Sequence, residues 1–121
     1  MLHLSATRRF FLFQGNCDMR KGFDSLSGMV TSLMKQDVLS GDIFIFLNRK
    51  HNQVKLLHWE GDGFAIYYKR LEKGTYELPF HSAQDNSVLL SHQQLSLILQ
   101  GISLRHVRIR KRYQHALKSC G

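Results

Sequence analysis

The sequence predicts an α+β domain: an antiparallel β-meander of about four to six strands, one helix before it at about 20–35, and one short helix after it at about 91–100. Three observations carry this. Between Asp42 and Arg70, three runs rich in β-branched, aromatic and leucine residues are separated by the polar turns Lys50-His51-Asn52 and Gly61-Asp62-Gly63. Before them, Phe23, Leu26, Val30, Leu33 and Met34 recur on one helical face. After them, Ser91-His92-Gln93-Gln94 has the reciprocal capping pattern of a helix start, followed by Leu95, Ile98, Leu99 and Ile102 at helical spacing.

Taken in order, residues 1–7 read as a loose N-terminus, residues 8–104 as a single α+β domain and residues 105–121 as a basic C-terminal tail. Arg8 to Gln14 reads as a short first strand stopped by Gly15-Asn16. Asp18 is a candidate helix N-cap, its carboxylate able to accept from free first-turn amides. Arg20 and Lys21 then fall in that first turn, where the helix dipole already presents positive charge. Either an internal salt bridge to Asp18 or Asp24 offsets them, or the two cations and the helix start form an anion site. The meander follows. Its Asp-Gly turn is a hairpin signal because glycine tolerates positive φ. After the turn at Leu71–Gly74, Thr75–Leu78 reads as a fourth meander strand ended by Pro79, the sole proline, and Ser87–Leu90 as a short edge strand. Gly101 is placed to close the last helix.

Charge is unevenly placed. The net charge is +8, and the last acid is Asp85. Arg105, Arg108, Arg110, Lys111, Arg112 and Lys118 lie beyond it, giving +6 in residues 86–121 and leaving eleven basic against nine acidic residues, +2, in residues 1–85. A basic tail on a near-neutral body suits a polyanion such as DNA, although a solvated charged end has the same composition. No run approaches the roughly 20 apolar residues of a membrane span, and a cytoplasmic location is expected. Cys17 and Cys120 match no metal or redox spacing, and two unrelated thiols are expected.

Most enzyme classes find no support. The seven histidines show no paired metal-ligand spacing, and His58 sits inside a strand. No nucleophile elbow, phosphate loop or dinucleotide fingerprint is present. A restriction-like nuclease would use Asp42, a second ligand at Gln53 and Lys55, but Gln53 is neutral and a weak Mg²⁺ ligand.

A binding surface fits better. Strand alternation puts Lys55, Leu57 and Trp59 on one side of their strand and separates Ala65, Tyr67 and Lys69 from Phe64, Ile66, Tyr68 and Arg70. Pairing about the Gly61-Asp62-Gly63 turn sets Trp59 or Glu60 across from Phe64, and Lys55 near Lys69 or Arg70. One face or rim would then carry Lys55, Lys69, Arg70, Arg49 and Lys50 beside Trp59, Tyr67 or Tyr68, cations and aromatics suited to phosphates and bases. An ordinary two-faced sheet accounts for the same residues.

The ordered blocks Asp18-Met19-Arg20-Lys21-Gly22-Phe23, Ser40-Gly41-Asp42-Ile43-Phe44-Ile45-Phe46-Leu47-Asn48-Arg49, Lys55-Leu56-Leu57-His58-Trp59-Glu60-Gly61-Asp62-Gly63-Phe64 and Tyr67-Tyr68-Lys69-Arg70-Leu71-Glu72-Lys73-Gly74 resemble one small family. It is the accessory protein, TnpB or second-open-reading-frame protein, of insertion-sequence sixty-six type bacterial mobile elements. The resemblance spans about residues 8–102. The family's loop before the meander usually carries a proline, where this chain has Val38. The resemblance implies a factor encoded beside a separate, larger transposase and needed with it for efficient transposition. It implies no catalytic residue, metal or cofactor. The expected function is DNA binding through Arg20, Lys21, Arg49, Lys50, Lys55, Trp59, Tyr67, Lys69, Arg70 and the tail residues Arg105, Arg108, Arg110, Lys111 and Arg112. The alternative is an adaptor docking on the transposase, since Trp, Tyr and Arg also dominate protein interfaces.

Overall fold

The structure, a computed structural model, describes residues 8–77 and 86–99. The sequence readings for residues 1–7, for Leu78 and Pro79, and for Gly101, the Arg105–Lys118 tail and Cys120 lie outside the described residues. Five strands and two helices run in the order β1 (Phe10–Asn16), α1 (Phe23–Ser32), β2 (Ile43–Leu47), β3 (Gln53–Trp59), β4 (Phe64–Arg70), β5 (Ser87–Leu90) and α2 (His92–Leu99). The strands form one mixed sheet ordered β4-β3-β2-β1-β5.

β2 is the axis of this sheet. All five of its residues are buried, which is what an uninterrupted Ile-Phe-Ile-Phe-Leu run signifies for a strand covered on both faces. β1 pairs with it in parallel, Phe10 opposite Ile43 and Leu12 opposite Ile45. Parallel neighbours need a long crossover, and α1 supplies it. β3 and β4 then add in antiparallel order, with Phe44 opposite Leu57, Leu57 opposite Ile66 and Trp59 opposite Phe64.

Alternation along these strands makes two cores. Phe11, Phe13, Phe44, Phe46 and Leu57 face Leu26, Val30 and Met34 of α1 and its C-terminal flank. Phe10, Leu12, Ile43, Ile45, Leu47, Val54 and Leu56 face Leu95 and Ile98 of α2 together with Tyr76. Each such side chain, removed from water, contributes roughly 1.5–3 kcal/mol. The capping box of α2 forms as expected: the Ser91 amide donates to Gln94 Oε1 at 2.9 Å, and the Gln94 amide to Ser91 Oγ at 3.1 Å.

Four sequence expectations are corrected. First, α1 starts at Phe23 with Gly22 as its N-cap and no side-chain cap, so Asp18 does not cap it and Arg20 and Lys21 precede its first turn. Second, Phe23 and Leu33 stay exposed, at 48% and 43%, because the buried stripe narrows to Leu26, Val30 and Met34. Third, the positive φ of the β3–β4 hairpin falls on Gly61, the first of two central residues, as in a II′ turn, and not on Gly63. Fourth, Thr75–Glu77 forms no strand. Gly74, at φ 77°, turns the chain beneath the sheet. The Tyr76 amide donates to His51 O at 2.6 Å, and its ring enters the α2-side core.

Burial pushes the Tyr76 hydroxyl up to about 12, and that hydroxyl has no hydrogen-bond partner among the described residues. Tyr76→Phe therefore removes an uncompensated buried polar atom. It is expected to keep or raise stability by about 1 kcal/mol, whereas Tyr76→Ala costs about 3–5 kcal/mol, both read by urea unfolding.

Candidate nucleic-acid interface

β1 and β2 end, β3 begins and β4 ends at the same edge of the sheet, so three connections converge there: residues 17–22, 48–52 and 71–75. These segments and the adjoining strand ends carry Arg20, Lys21, Arg49, Lys50, Lys55, Lys69, Arg70 and Lys73. Cations far apart in sequence thus share one end of the molecule.

Local hydrogen bonds shape each connection. The Cys17 amide donates to Leu47 O at 2.9 Å, fastening the exit of β1 to the end of β2. Asp18 then closes a tight turn, its Oδ1 accepting the Arg20 amide at 2.9 Å and Lys21 N donating to Asp18 O at 3.1 Å. The Arg20 guanidinium also grips this carboxylate, Nη2 to Oδ2 at 2.7 Å. Hydrogen bonds from the Arg20 side chain and then from its amide lower the Asp18 carboxyl to about 2. Of the two readings offered for Arg20, the salt bridge to Asp18 is the one that forms.

Asn48 organises the β2–β3 turn. Its Oδ1 accepts the Asn52 and Gln53 amides at 3.0 and 2.9 Å, and its Nδ2 donates to Asn52 Oδ1 at 2.7 Å. His51 takes a positive φ of 56°, and Arg49 and Lys50 are left exposed at the tip. A cleft of about 430 Å³ runs between this turn and the Cys17–Met19 segment.

Lys55 is different from its neighbours. It is only 8% exposed, its Nζ donates to Lys21 O at 2.8 Å and lies 4.8 Å from the centre of the Tyr68 ring. The Tyr68 hydroxyl donates to Gln53 Oε1 at 2.7 Å. Lys55 therefore joins the crossover to the meander, and its contribution to a surface is its positive field. The register places it opposite Tyr68, not Lys69 or Arg70. Burial pushes the Cys17 thiol up against the opposing pull of Lys21 and Lys55.

On β4, Tyr67 and Lys69 share the α2 side, while Tyr68 and Arg70 share the α1 side; all four are exposed. Arg70 Nε donates to Glu72 Oε2 at 3.0 Å. Trp59 is not with them. It closes β3 at the far end of the sheet, about 20 Å along the strand from Gln53, with its ring 4.9 Å from that of Phe64.

The far end is a mixed-charge cluster. Arg9 Nη2 donates to Asp42 Oδ2 at 2.8 Å, and Ser40 Oγ donates to the same oxygen at 2.9 Å. Burial alone would raise the Asp42 carboxyl, but these donors and the Arg9 amide outweigh it and hold it below its usual value. Arg8 Nη1 donates to Gly41 O at 2.6 Å and lies 2.7 Å from His58 Nε2, in a cleft of about 570 Å³ that Trp59 also lines. Asp42 precedes the Ile43–His58 pair and so lies level with Trp59, while Gln53 opens β3 about 20 Å away along the strand. The nuclease arrangement of Asp42 with Gln53 and Lys55 is therefore not assembled. Among the described residues, no group of three or more His, Cys, Asp or Glu side chains is placed to hold a metal ion.

Comparison with known proteins decides the family. The profile described as IS66 Orf2 like protein matches residues 8–109. The chain belongs to the IS66 Orf2-like family. The uncharacterized protein y4hO of Sinorhizobium fredii (strain NBRC 101917 / NGR234) is 35% identical over 106 residues, covering 88% of this chain and 90% of that one. A second protein of the same strain, the uncharacterized protein y4jC, is 29% identical over 91 residues, covering 75% and 76%. No solved structure matches. Members of the IS66 Orf2-like family are accessory proteins of insertion sequences, and a transposition-related role follows for this chain. No described helix is long and apolar enough to cross a membrane.

Sequence reading missed Asn48, Gln53 as the acceptor for Tyr68, and Lys73. The Asn-Arg-Lys-His-Asn run was the available signal for the first, since asparagine side chains commonly close turns on backbone amides two or more residues on.

Two predictions separate scaffold from surface. Lys55→Met strands the Lys21 carbonyl and is expected to cost about 1–3 kcal/mol, whereas Lys50→Gln stays within about 0.5 kcal/mol, both by urea unfolding. The lowered carboxyls of Asp18 and Asp42 give stability that is fully present above their unfolded value, about 3.9, and is lost as pH falls through their lower folded values, which for Asp18 is about 2. Asp18→Asn and Asp42→Asn are expected to flatten that acid limb of the stability profile.

Proposed function

We propose that this chain is a non-catalytic DNA-binding accessory factor for transposition of an insertion sequence, acting in the cytoplasm beside the element's separate transposase. The observation that carries the reading is the gathering of Lys21, Arg49, Lys50, Lys69, Arg70 and Lys73 at one end of the sheet, from three separate connections and the end of β4. Side chains spread over a rigid strand end can contact several phosphates at once, and the buried Lys55 ammonium adds to the same field. Tyr67 and Tyr68, 43% and 52% exposed, offer ring surface beside those cations for sugar or base contact. Arg20 and Arg70 contribute less than their exposure suggests, because Asp18 and Glu72 offset their charges. Trp59 falls outside this surface. The tail cations, Arg105 to Lys118, add general affinity for polyanions.

An adaptor role is the second reading, favoured by the same exposed tyrosines. Co-purification with the transposase that survives nuclease treatment supports the adaptor; loss on treatment supports DNA as the bridge.

The deciding experiment is a salt titration of binding to a duplex carrying the element's terminal repeat and to a scrambled duplex. The full chain is expected to lose affinity steeply with salt, and Lys50→Gln and Lys69→Gln each to reduce the slope of log K against log salt by about 1. Preference for the repeat that persists in a chain ending at Gly101 would place recognition on the part before the basic tail. A salt-independent affinity, or a slope unchanged in the double variant, would overturn the proposal.

A further inference from the structure

β4 is an edge strand with its outer side open: among the described residues, only β3 pairs with it. The segment that sequence periodicity would have added there, Thr75–Glu77, turns under the sheet instead. The direction of the open backbone groups follows from the hairpin. The Glu60 amide donates to Gly63 O at 2.9 Å and the Leu71 amide to Asn52 O at 2.7 Å, so both ends of the ladder are hydrogen-bonded positions. Bonded and non-bonded pairs alternate between them. Phe64, Ile66, Tyr68 and Arg70 occupy the non-bonded positions opposite Trp59, Leu57, Lys55 and Gln53. Their N–H and C=O groups therefore point away from β3.

We infer that this edge pairs antiparallel with β4 of a second copy of the chain, joining two sheets into one. The argument for that occupant is charge. The strand is entered through Glu60 and Asp62 and left through Lys69, Arg70, Glu72 and Lys73, with Arg70 bonded to Glu72 within the copy, so it is acidic at one end and on balance basic at the other. A two-fold antiparallel arrangement sets the acidic end of each copy against the basic end of the other. In the register centred on Ile66, Ile66 meets Ile66 of the second copy, Phe64 meets its Tyr68, and Asp62 meets its Arg70. An apolar pair, two aromatic pairs and two opposite-charge pairs then lie side by side, the combinations that favour cross-strand pairing. The same register brings Glu60 of each copy toward Glu72 of the other just beyond the paired strands, a like-charge contact that the two Asp62–Arg70 pairs outweigh only because it lies outside the ladder. The outward groups of Phe64, Ile66 and Tyr68 from both copies would form about six main-chain hydrogen bonds. Lys69 and Arg70 are the charges that ordinarily discourage edge pairing, but they occupy one end only, and neither a proline nor a bulge interrupts the strand. Such a dimer would carry two basic ends.

The inference is independent of DNA binding and is tested without DNA. Sedimentation equilibrium on the full chain is expected to show a monomer–dimer equilibrium. Asp62→Lys and Arg70→Glu should each weaken it by about tenfold or more, and the Asp62→Lys/Arg70→Glu double variant should recover most of the loss. Within one copy the two positions lie about 26 Å apart along the strand, too far to compensate each other, so rescue reports contact between copies. Hydrogen exchange gives a readout free of mutation: amides of Phe64, Ile66 and Tyr68 should gain protection as concentration rises. A monomer at every accessible concentration, or a dimer indifferent to all three variants, would overturn the inference. Protection of those amides in a monomer only on adding the transposase would likewise overturn it and assign the edge to that protein.

Discussion

The parallel pairing of β1 with β2 is the constraint on which the rest of the structure depends. It places a hydrophobic strand on either side of β2 and forces the intervening chain across one face of the sheet. α1 exists to make that crossing, and its narrow apolar stripe of Leu26, Val30 and Met34 is buried because Phe11, Phe13, Phe44 and Phe46 wait beneath it. The exit of β1 is then fixed beside the exit of β2 by the Cys17–Leu47 backbone bond. That single juxtaposition sets the turn of Asp18 and Arg20 next to the turn of Arg49 and Lys50.

A consequence is the polarity of the molecule. One end of the sheet collects unpaired or weakly offset cations, while the other holds Arg8 and Arg9 in contacts with His58, Gly41 and Asp42. Arginines at the far end are spent on structure; lysines and arginines at the near end are spent largely on solvent. Lys55 is the exception that ties the near end together. Its ammonium trades water for the Lys21 carbonyl and the Tyr68 ring, an exchange that succeeds because a carbonyl and an aromatic face both receive a cation well. The pair Arg20–Asp18 shows the opposite economy: a strong local geometry on a fully solvated turn, which sets the conformation of the chain before α1 more than it stabilises the fold.

The three meander strands, the capping box at Ser91 and the short last helix were legible because each is encoded by neighbours: alternation, turn residues and a reciprocal cap act within a few positions. The start of α1 was misplaced because Asp18 has the chemistry of a cap, and only the position of Arg20 shows that its oxygens are already engaged. Trp59 shares a strand face with Lys55, yet a strand has length as well as faces, and the 7 residues from Gln53 to Trp59 carry the ring to the opposite end of the sheet from the cations.

The sequence by itself determined the first strand, the three central strands, the edge strand, the presence of both helices, the family and the amount of positive charge, because these are written in residue types and short spacings. Tertiary structure alone decided that Thr75–Glu77 leaves the sheet, that β1 inserts between β2 and β5, and that cations from three connections meet at one edge. Those outcomes depend on long-range competition for the two faces of β2. Tyr76 packs under the sheet because the core there has room for its ring and His51 offers its carbonyl; no local pattern in the chain encodes either fact.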